Sequence, residues 1–399
     1  MHNKCRHCDW ILESEIIDLG NQPPSNRYLS RKNLNEKETT FPLKVFICDN
    51  CGLVQIPETL KPEELFTSNY AYFSSISSSW CKHAKDFVET ATKRFKLNQK
   101  SFVVEIASND GYLLQYFMKK NIPCMGIEPT SDTATESKRK GINTLEKFFT
   151  SKLAKTLDKA DLVIANNVAA HVPNINDFLK GIKDILKTNG VVSIEFPHIL
   201  NLIINNQFDT IYHEHYSYFS LKTFQRIAGY CGLDIFDVEQ IKTHGGSLRI
   251  LLSHPNKFKT SKKVDDLIIL ENHFQVSSIN GYDHFKKNVE KIKFDLIKFL
   301  INSKENNKRV IGYGAAAKGN TLLNYCGIKS DLLEFIVDKA NSKQNLFMPG
   351  SHIPIKDISY IDYCEPEYLL VLPWNLIKEI GNEQKNEKLV TAIPKLKFY

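Results

Sequence analysis

Three features of the sequence predict an α/β protein with a cysteine-held module at its start and two Rossmann-like units behind it. Four cysteines fall as two C-x-x-C pairs within the first sixty residues. From about residue 101, short apolar runs alternate with amphipathic stretches, the pattern of a doubly wound parallel sheet. The alternation returns after residue 305, where a glycine–alanine turn follows another apolar run. A chain of 399 residues is too long for one ordinary core. We therefore expect a zinc-binding module at 1–65, a first α/β domain at 66–260, a helical connector at 261–305 and a C-terminal α/β domain at 306–399.

The module comes first. Cys5-Arg6-His7-Cys8 and Cys48-Asp49-Asn50-Cys51 each let two thiolates point into one tetrahedral site, and Gly52 suits the turn after the second pair. Four cysteines leave no ligand position open for water, so the expected zinc is structural. The long spacer between the pairs requires a β excursion. Residues 61–100 read as helices interrupted by the aromatic–serine stretch Ser68–Ser75.

Phe102–Ile106 is the first strand of the α/β pattern, Tyr112–Lys119 an amphipathic helix and Cys124–Glu128 the next strand. Leu162–Ala165 and Val191–Phe196 follow as strands. Apolar positions between 263 and 305 suggest helices. Arg309–Tyr313 then opens the second unit, with further strands at Phe335–Asp338 and Tyr368–Leu372.

The net charge of +7 is the small difference between 52 basic and 45 acidic residues, and the lysines are scattered, so no nucleic-acid partner is expected. No apolar run approaches the roughly 18 residues of a membrane span. The N-terminus lacks a signal-peptide core, and nine cysteines in such a chain are expected as thiols or metal ligands. A cytoplasmic protein is the expectation.

Glu105-Ile106-Ala107-Ser108-Asn109-Asp110-Gly111 lies between strand and helix, where such folds bind nucleotides. Small residues there allow close ligand approach, and Glu128 at the next strand's end suits ribose hydroxyls. A dinucleotide's pyrophosphate is the rival ligand, but Asn109 and Asp110 crowd the turn, and Asp110 would repel phosphate. S-adenosylmethionine (SAM), with its cationic sulfonium and no phosphate, fits better. A Rossmann-like SAM methyltransferase domain is therefore expected.

The densest chemistry is Tyr212-His213-Glu214-His215-Tyr216. It supplies acids, bases and hydrogen-bond donors together. In an extended segment both histidines would share one face with Glu214 opposite. The H-E-x-x-H spacing of metalloproteases is absent, which disfavours a metal here. Histidines merely hydrogen-bonded beneath a loop are the alternative.

In these residues the chain resembles the bacterial nucleotide-sugar C-methyltransferases that act on 4-keto deoxysugars. The matches run in order from the cysteine module through the Tyr70/Tyr72 stretch, the Glu105–Gly111 loop and Asn166-Asn167-Val168-Ala169-Ala170-His171. They continue through Tyr212–His215 and His244-Gly245-Gly246-Ser247-Leu248-Arg249 to Gly312–Asn320. Ala107 departs from the glycine common in such loops; if its φ is negative the change costs little. The resemblance implies His215 as the base at the sugar carbon. It further implies Tyr212, Glu214 and Tyr70 or Tyr72 as substrate-positioning groups, and His171 as a sugar contact or a supporting histidine. The cofactor is SAM, held by the Glu105–Gly111 loop, Glu128, Asn166 and Asn167, and the partner is a nucleotide-diphosphate sugar.

His213, Ser247 and Arg249 are candidate substrate contacts, the last two with ordinary strand residues as the alternative and Arg249 then exposed. The turn at Gly314, Lys318 and Asn320 is either a diphosphate cradle or a tight strand–helix packing turn. It does not match the P-loop, so ATP hydrolysis is not expected. O-methylation of a sugar hydroxyl and a non-catalytic binding protein remain the alternative functions.

Overall fold

The computed structural model describes residues 4–66, 73–241, 245–384 and 388–399. Among these the strands form three sheets. β1 (Ser14–Gln22), β2 (Phe41–Ile47) and β3 (Val54–Gln55) make an antiparallel meander, the β excursion expected between the cysteine pairs. A register shift between Glu15 and Ile17 turns the adjacent Ile16 and Ile17 both inward.

β4 (Val103–Ile106), β5 (Cys124–Ile127), β6 (Asn143–Leu145), β7 (Ala160–Asn166) and β8 (Leu186–Pro197) build a parallel sheet. Their near-continuous apolar runs reflect burial on both faces. The two-residue β9 (Ser217–Tyr218) leaves this unit and pairs with β3 instead. β10 (Asp234–Ile241) and β11 (Ser247–Ser253) return, with β11 antiparallel to both β8 and β10. The order β10-β11-β8-β7-β4-β5-β6 reverses direction between β4 and β7. A crevice opens at the carboxyl ends of strands at such a point.

The last sheet repeats the principle. β12 (Val310–Tyr313), β13 (Ile336–Val337), β14 (Ile355–Lys356), β15 (Tyr368–Val371) and β16 (Lys388–Thr391) are parallel, and β17 (Lys397–Phe398) is antiparallel at the edge. The helix after β12 spans Ala317–Cys326. Ala316 is the last extended residue, and Lys318 therefore sits in the helix's first turn.

The 261–305 stretch forms helices at Lys262–His273 and Asp283–Glu305. The longer one is more than a spacer. Its Val289, Ile292, Leu296 and Leu300 share one apolar core with Ile16, Leu19 and Val45 of the N-terminal sheet and Leu322 and Leu333 of the C-terminal unit. Among the described residues, no helix is long and apolar enough to cross a membrane.

Candidate active site

The carboxyl edges of both parallel sheets and the 210–215 segment open on one cavity of about 1050 Å³. Small-molecule pockets usually occupy about 300–1,000 Å³, so this one has room for two ligands. Ala107, Asn109, Glu128, Asn166 and Asn167 line one part, with His171, Tyr212, Glu214 and His215 beside them and Lys318 across from the C-terminal unit.

The loop after β4 is held in an unusual backbone. Ala107, Asn109 and Gly111 all have positive φ, at 56°, 49° and 74°. The condition under which alanine would cost little, a negative φ, is thus not met, and an L-residue in the left-handed region costs about 1 kcal/mol. Ala107→Gly is expected to relieve that strain and raise Tm by roughly 2–4 °C; a lower melting temperature would show that the methyl group is needed for packing.

Glu128 accepts from the Asn109 N–H at Oε2 and from the Thr130 N–H at Oε1, each 2.9 Å. Its carboxylate is thereby aimed at the cavity, and burial pushes its pKa up. Asn166 Oδ1 is buried with no hydrogen-bond partner among the described residues, at the wall where a ligand amine or hydroxyl would donate.

Glu105, Ser108, Asp110 and Gly111 lie behind the lining rather than in it. Burial, then the charges of Glu128, Asp110 and Glu195, push Glu105 well above the usual carboxylate range. Asp110 accepts from Ser75 and from Lys140 (3.2 Å), while Asn109 Oδ1 accepts from the Ser74 N–H (2.8 Å). The loop is therefore stapled to the last two residues of the aromatic–serine stretch. The space a Gly111 side chain would need is filled by Ile142 and Ser137, so that glycine serves packing rather than ligand approach. Tyr70 and Tyr72 lie outside the described residues.

The 212–215 segment is a turn, not a strand. The His215 N–H donates to the Tyr212 carbonyl (2.9 Å), which brings residues three apart together. Tyr212 Oη lies 2.9 Å from His215 Nε2, and His215 Nδ1 lies 2.9 Å from the Thr210 carbonyl. A carbonyl only accepts, so Nδ1 carries the hydrogen and Nε2 the lone pair. Glu214 accepts from Asn26 Nδ2 at 2.6 Å. The two histidines do not share a face: His213 packs on Phe41, with Nε2 3.3 Å from that residue's carbonyl and outside the cavity lining.

His171 meets His215 edge-on, with ring centroids 4.7 Å apart. Burial pulls its pKa from 6.5 to about 4, so the folded chain keeps it neutral. The unfolded chain takes up a proton below pH 6.5, so this contribution to stability is complete above 6.5 and is lost as pH falls toward 4. His171→Gln is expected to remove at most about 2 kcal/mol of the stability difference between pH 7 and pH 5. Urea unfolding at both pH values checks it; an unchanged difference would refute the assignment.

On the far wall, the helix starting at Ala317 has no side-chain cap, and Lys318 Nζ donates to Asn375 (2.8 Å) above the Trp374 ring. Burial lowers the Lys318 pKa, with Asp209 opposing. Lys343 also lines the cavity. Gly314, with φ 83°, packs against Pro373, and Asn320 is wholly buried; neither is in the lining. Ser247 and Arg249 are strand residues away from the cavity. Arg249 is buried, not exposed, because Glu195 on β8 and Glu239 on β10 pair with it. Asn26, Trp80 and Lys343 were not legible as site residues, each being isolated in sequence without a motif around it, and Thr210 acts through its backbone carbonyl, which no residue type marks.

The cysteine module meets the geometry of a zinc site. The four Sγ atoms of Cys5, Cys8, Cys48 and Cys51 lie within 4.8 Å of one another, with Cys5–Cys51 and Cys8–Cys48 at 3.5 Å. Tetrahedral Zn–S bonds of about 2.3 Å place sulfurs at such separations. Left to themselves, thiols this close ionise unequally: the hydrogen bond with Cys51 lowers the Cys5 pKa, while burial raises that of Cys48.

Comparison with known proteins agrees with this geometry. Residues 5–66 match a zinc binding domain family, 80–238 a methyltransferase domain and 242–394 the C-methyltransferase C-terminal domain. Fold, site and these matches define a SAM-dependent methyltransferase with a structural zinc module. The chain is 30% identical over 386 residues to the C-methyltransferase NovU of Streptomyces niveus, across 96% of this chain and 91% of that one. It belongs to this C-methyltransferase family. Solved structures similar to it include the PH0226 protein of Pyrococcus horikoshii OT3 (TM-score 0.38, 14% identity, 46% of this chain and 95% of that one). Another is magnesium protoporphyrin IX methyltransferase of Synechocystis PCC 6803 with bound SAM (TM-score 0.36, 13% identity, 45% and 82%).

Proposed function

We propose that the protein methylates a carbon beside the ketone of a nucleotide-linked 4-keto deoxysugar. One observation carries the reading: the His215 lone pair, oriented by the Thr210 carbonyl, belongs to the same cavity as Glu128 and the loop after β4. Bound SAM supplies an electrophilic methyl group on sulfur. The carbon becomes a nucleophile only when its proton leaves, and Nε2 of His215 is the group that takes it. The Tyr212 hydroxyl, which now faces that nitrogen, turns to the developing enolate oxygen, with Glu214 and a neutral His171 orienting the sugar. With SAM bound, that carbon would take its methyl group, the S–CH3 electron pair would stay on sulfur, and His215 would hold the proton.

The Glu128 side holds adenosine and ribose, with Ala107, Asn109, Asn166 and Asn167 around it. The uncapped amides at Ala317 and Lys318, with Lys343, suit a diphosphate. Solvent deuterium exchange at the sugar carbon, with SAM withheld, tests the reaction. Exchange at the position later methylated is expected; methyl transfer without it on any keto sugar would leave O-methylation as the better reading.

A further inference from the structure

We propose that Arg6, between the two cysteines of the first zinc knuckle, is a positioning residue that ties the zinc site to both histidine-bearing segments of the active site. The inference rests on the reading of His215 as the base. Arg6 Nη1 donates to the Pro173 carbonyl (3.2 Å), two residues beyond His171. Nη2 donates to the Ile56 carbonyl, and the guanidinium lies 5.3 Å from the ring centroid of Tyr216, the residue after His215. Ile56 in turn donates to the Tyr216 carbonyl (3.1 Å), and the buried Tyr216 hydroxyl donates to the Leu60 carbonyl (2.8 Å). One cation thus bonds the backbone beyond His171 directly and reaches the backbone after His215 through Ile56 and the Tyr216 ring.

The same knuckle makes a second connection. The Arg6 N–H donates to Gln55 Oε1 (3.0 Å), and Gln55 Nε2 donates to Cys5 Sγ (3.2 Å). Gln55 lies in β3, opposite Ser217 of β9, two residues past the base. Zinc held by Cys5 would therefore fix Gln55 and Arg6, and these fix the strand pairing that runs as far as Tyr216, the residue after His215.

Docking alone does not call for this arginine. His7, its neighbour, already secures the knuckle through a reciprocal pair with Asn176, at 2.8 Å in each direction. Even half-buried, a guanidinium costs more to desolvate than an apolar side chain would. A planar fork that donates to two divergent carbonyls while lying against an aromatic face is a task lysine cannot reproduce.

The test uses the full-length zinc-loaded chain with Arg6→Lys and Arg6→Gln, and His7→Ala beside them. Zinc per chain and SAM affinity are measured first and are expected to match wild type. Histidine-selective nitrogen NMR then reads the His215 ring without substrate, and kcat, KM and the pH profile are read with keto-sugar nucleotides. Both Arg6 variants are expected to move the His215 resonances and to lower kcat by up to about 100-fold with KM little changed. His7→Ala is expected to leave both near wild type. A moved ring with unchanged turnover upholds the positioning role and counts against His215 as the base. Unmoved resonances in both Arg6 variants, loss of zinc from them, or an equal effect of His7→Ala would overturn the proposal.

Discussion

His215→Ala is expected to lower methyl transfer about 10²–10⁴-fold, the usual worth of a positioned general base, while SAM affinity stays at the wild-type level. The two effects separate because the residues proposed to hold SAM, Ala107, Asn109 and Glu128, stand on the central sheet's edge, whereas His215 is held by Thr210 and Tyr212. Deuterium exchange at the sugar carbon should fall with turnover, since both require the same proton to leave. The variant also strands the Thr210 carbonyl, at a cost of about 1–3 kcal/mol, so a melting curve accompanies the kinetics. Unchanged turnover in a folded variant would remove His215 from the mechanism.

Removal of zinc carries the second large effect. Structural zinc sites contribute an apparent 10–16 kcal/mol or so, comparable with the roughly 5–15 kcal/mol that holds a whole domain folded. Chelation, or Cys48→Ser, is therefore expected to unfold the first sixty residues rather than loosen them. The damage should reach the active site, because β3 of the module pairs with β9 directly behind Tyr216. Loss of methyl transfer in proportion to zinc content, with a loss of near-ultraviolet circular dichroism, is the expected readout. A metal-free chain that melts like the loaded one would show that the four thiols are dispensable.

Local signals made the sheets legible. Apolar runs marked β4, β5, β7, β8, β12 and β15, because parallel strands buried on both faces need such runs. Cysteine spacing marked the metal module. Partners remote in sequence stayed hidden. Two residues, Ser217 and Tyr218, carry too little pattern to announce that they pair with β3. Arg249 read as a substrate contact or an exposed strand residue, because the carboxylates that bury it come from two other strands. The turn at 212–215 hid the true neighbours: Tyr212 and His215 meet three residues apart, where alternation had paired His213 with His215. Ala107 sits in a conformation that its side chain disfavours, so only the folded loop reveals it.

The core shared by β1, β2, the Asp283–Glu305 helix and the C-terminal unit has a consequence for biosynthesis. The first strands leave the ribosome with an apolar face whose partners are roughly 300 codons behind, a wait of about 15–60 s at ordinary translation speeds. During that interval the nascent module has its own strand pairing and a bound metal to keep it ordered, but not the later partners of its apolar side. Cells short of zinc should therefore send this chain to chaperones and proteases before it is ever finished, and its abundance should fall sooner than the activity of molecules already made.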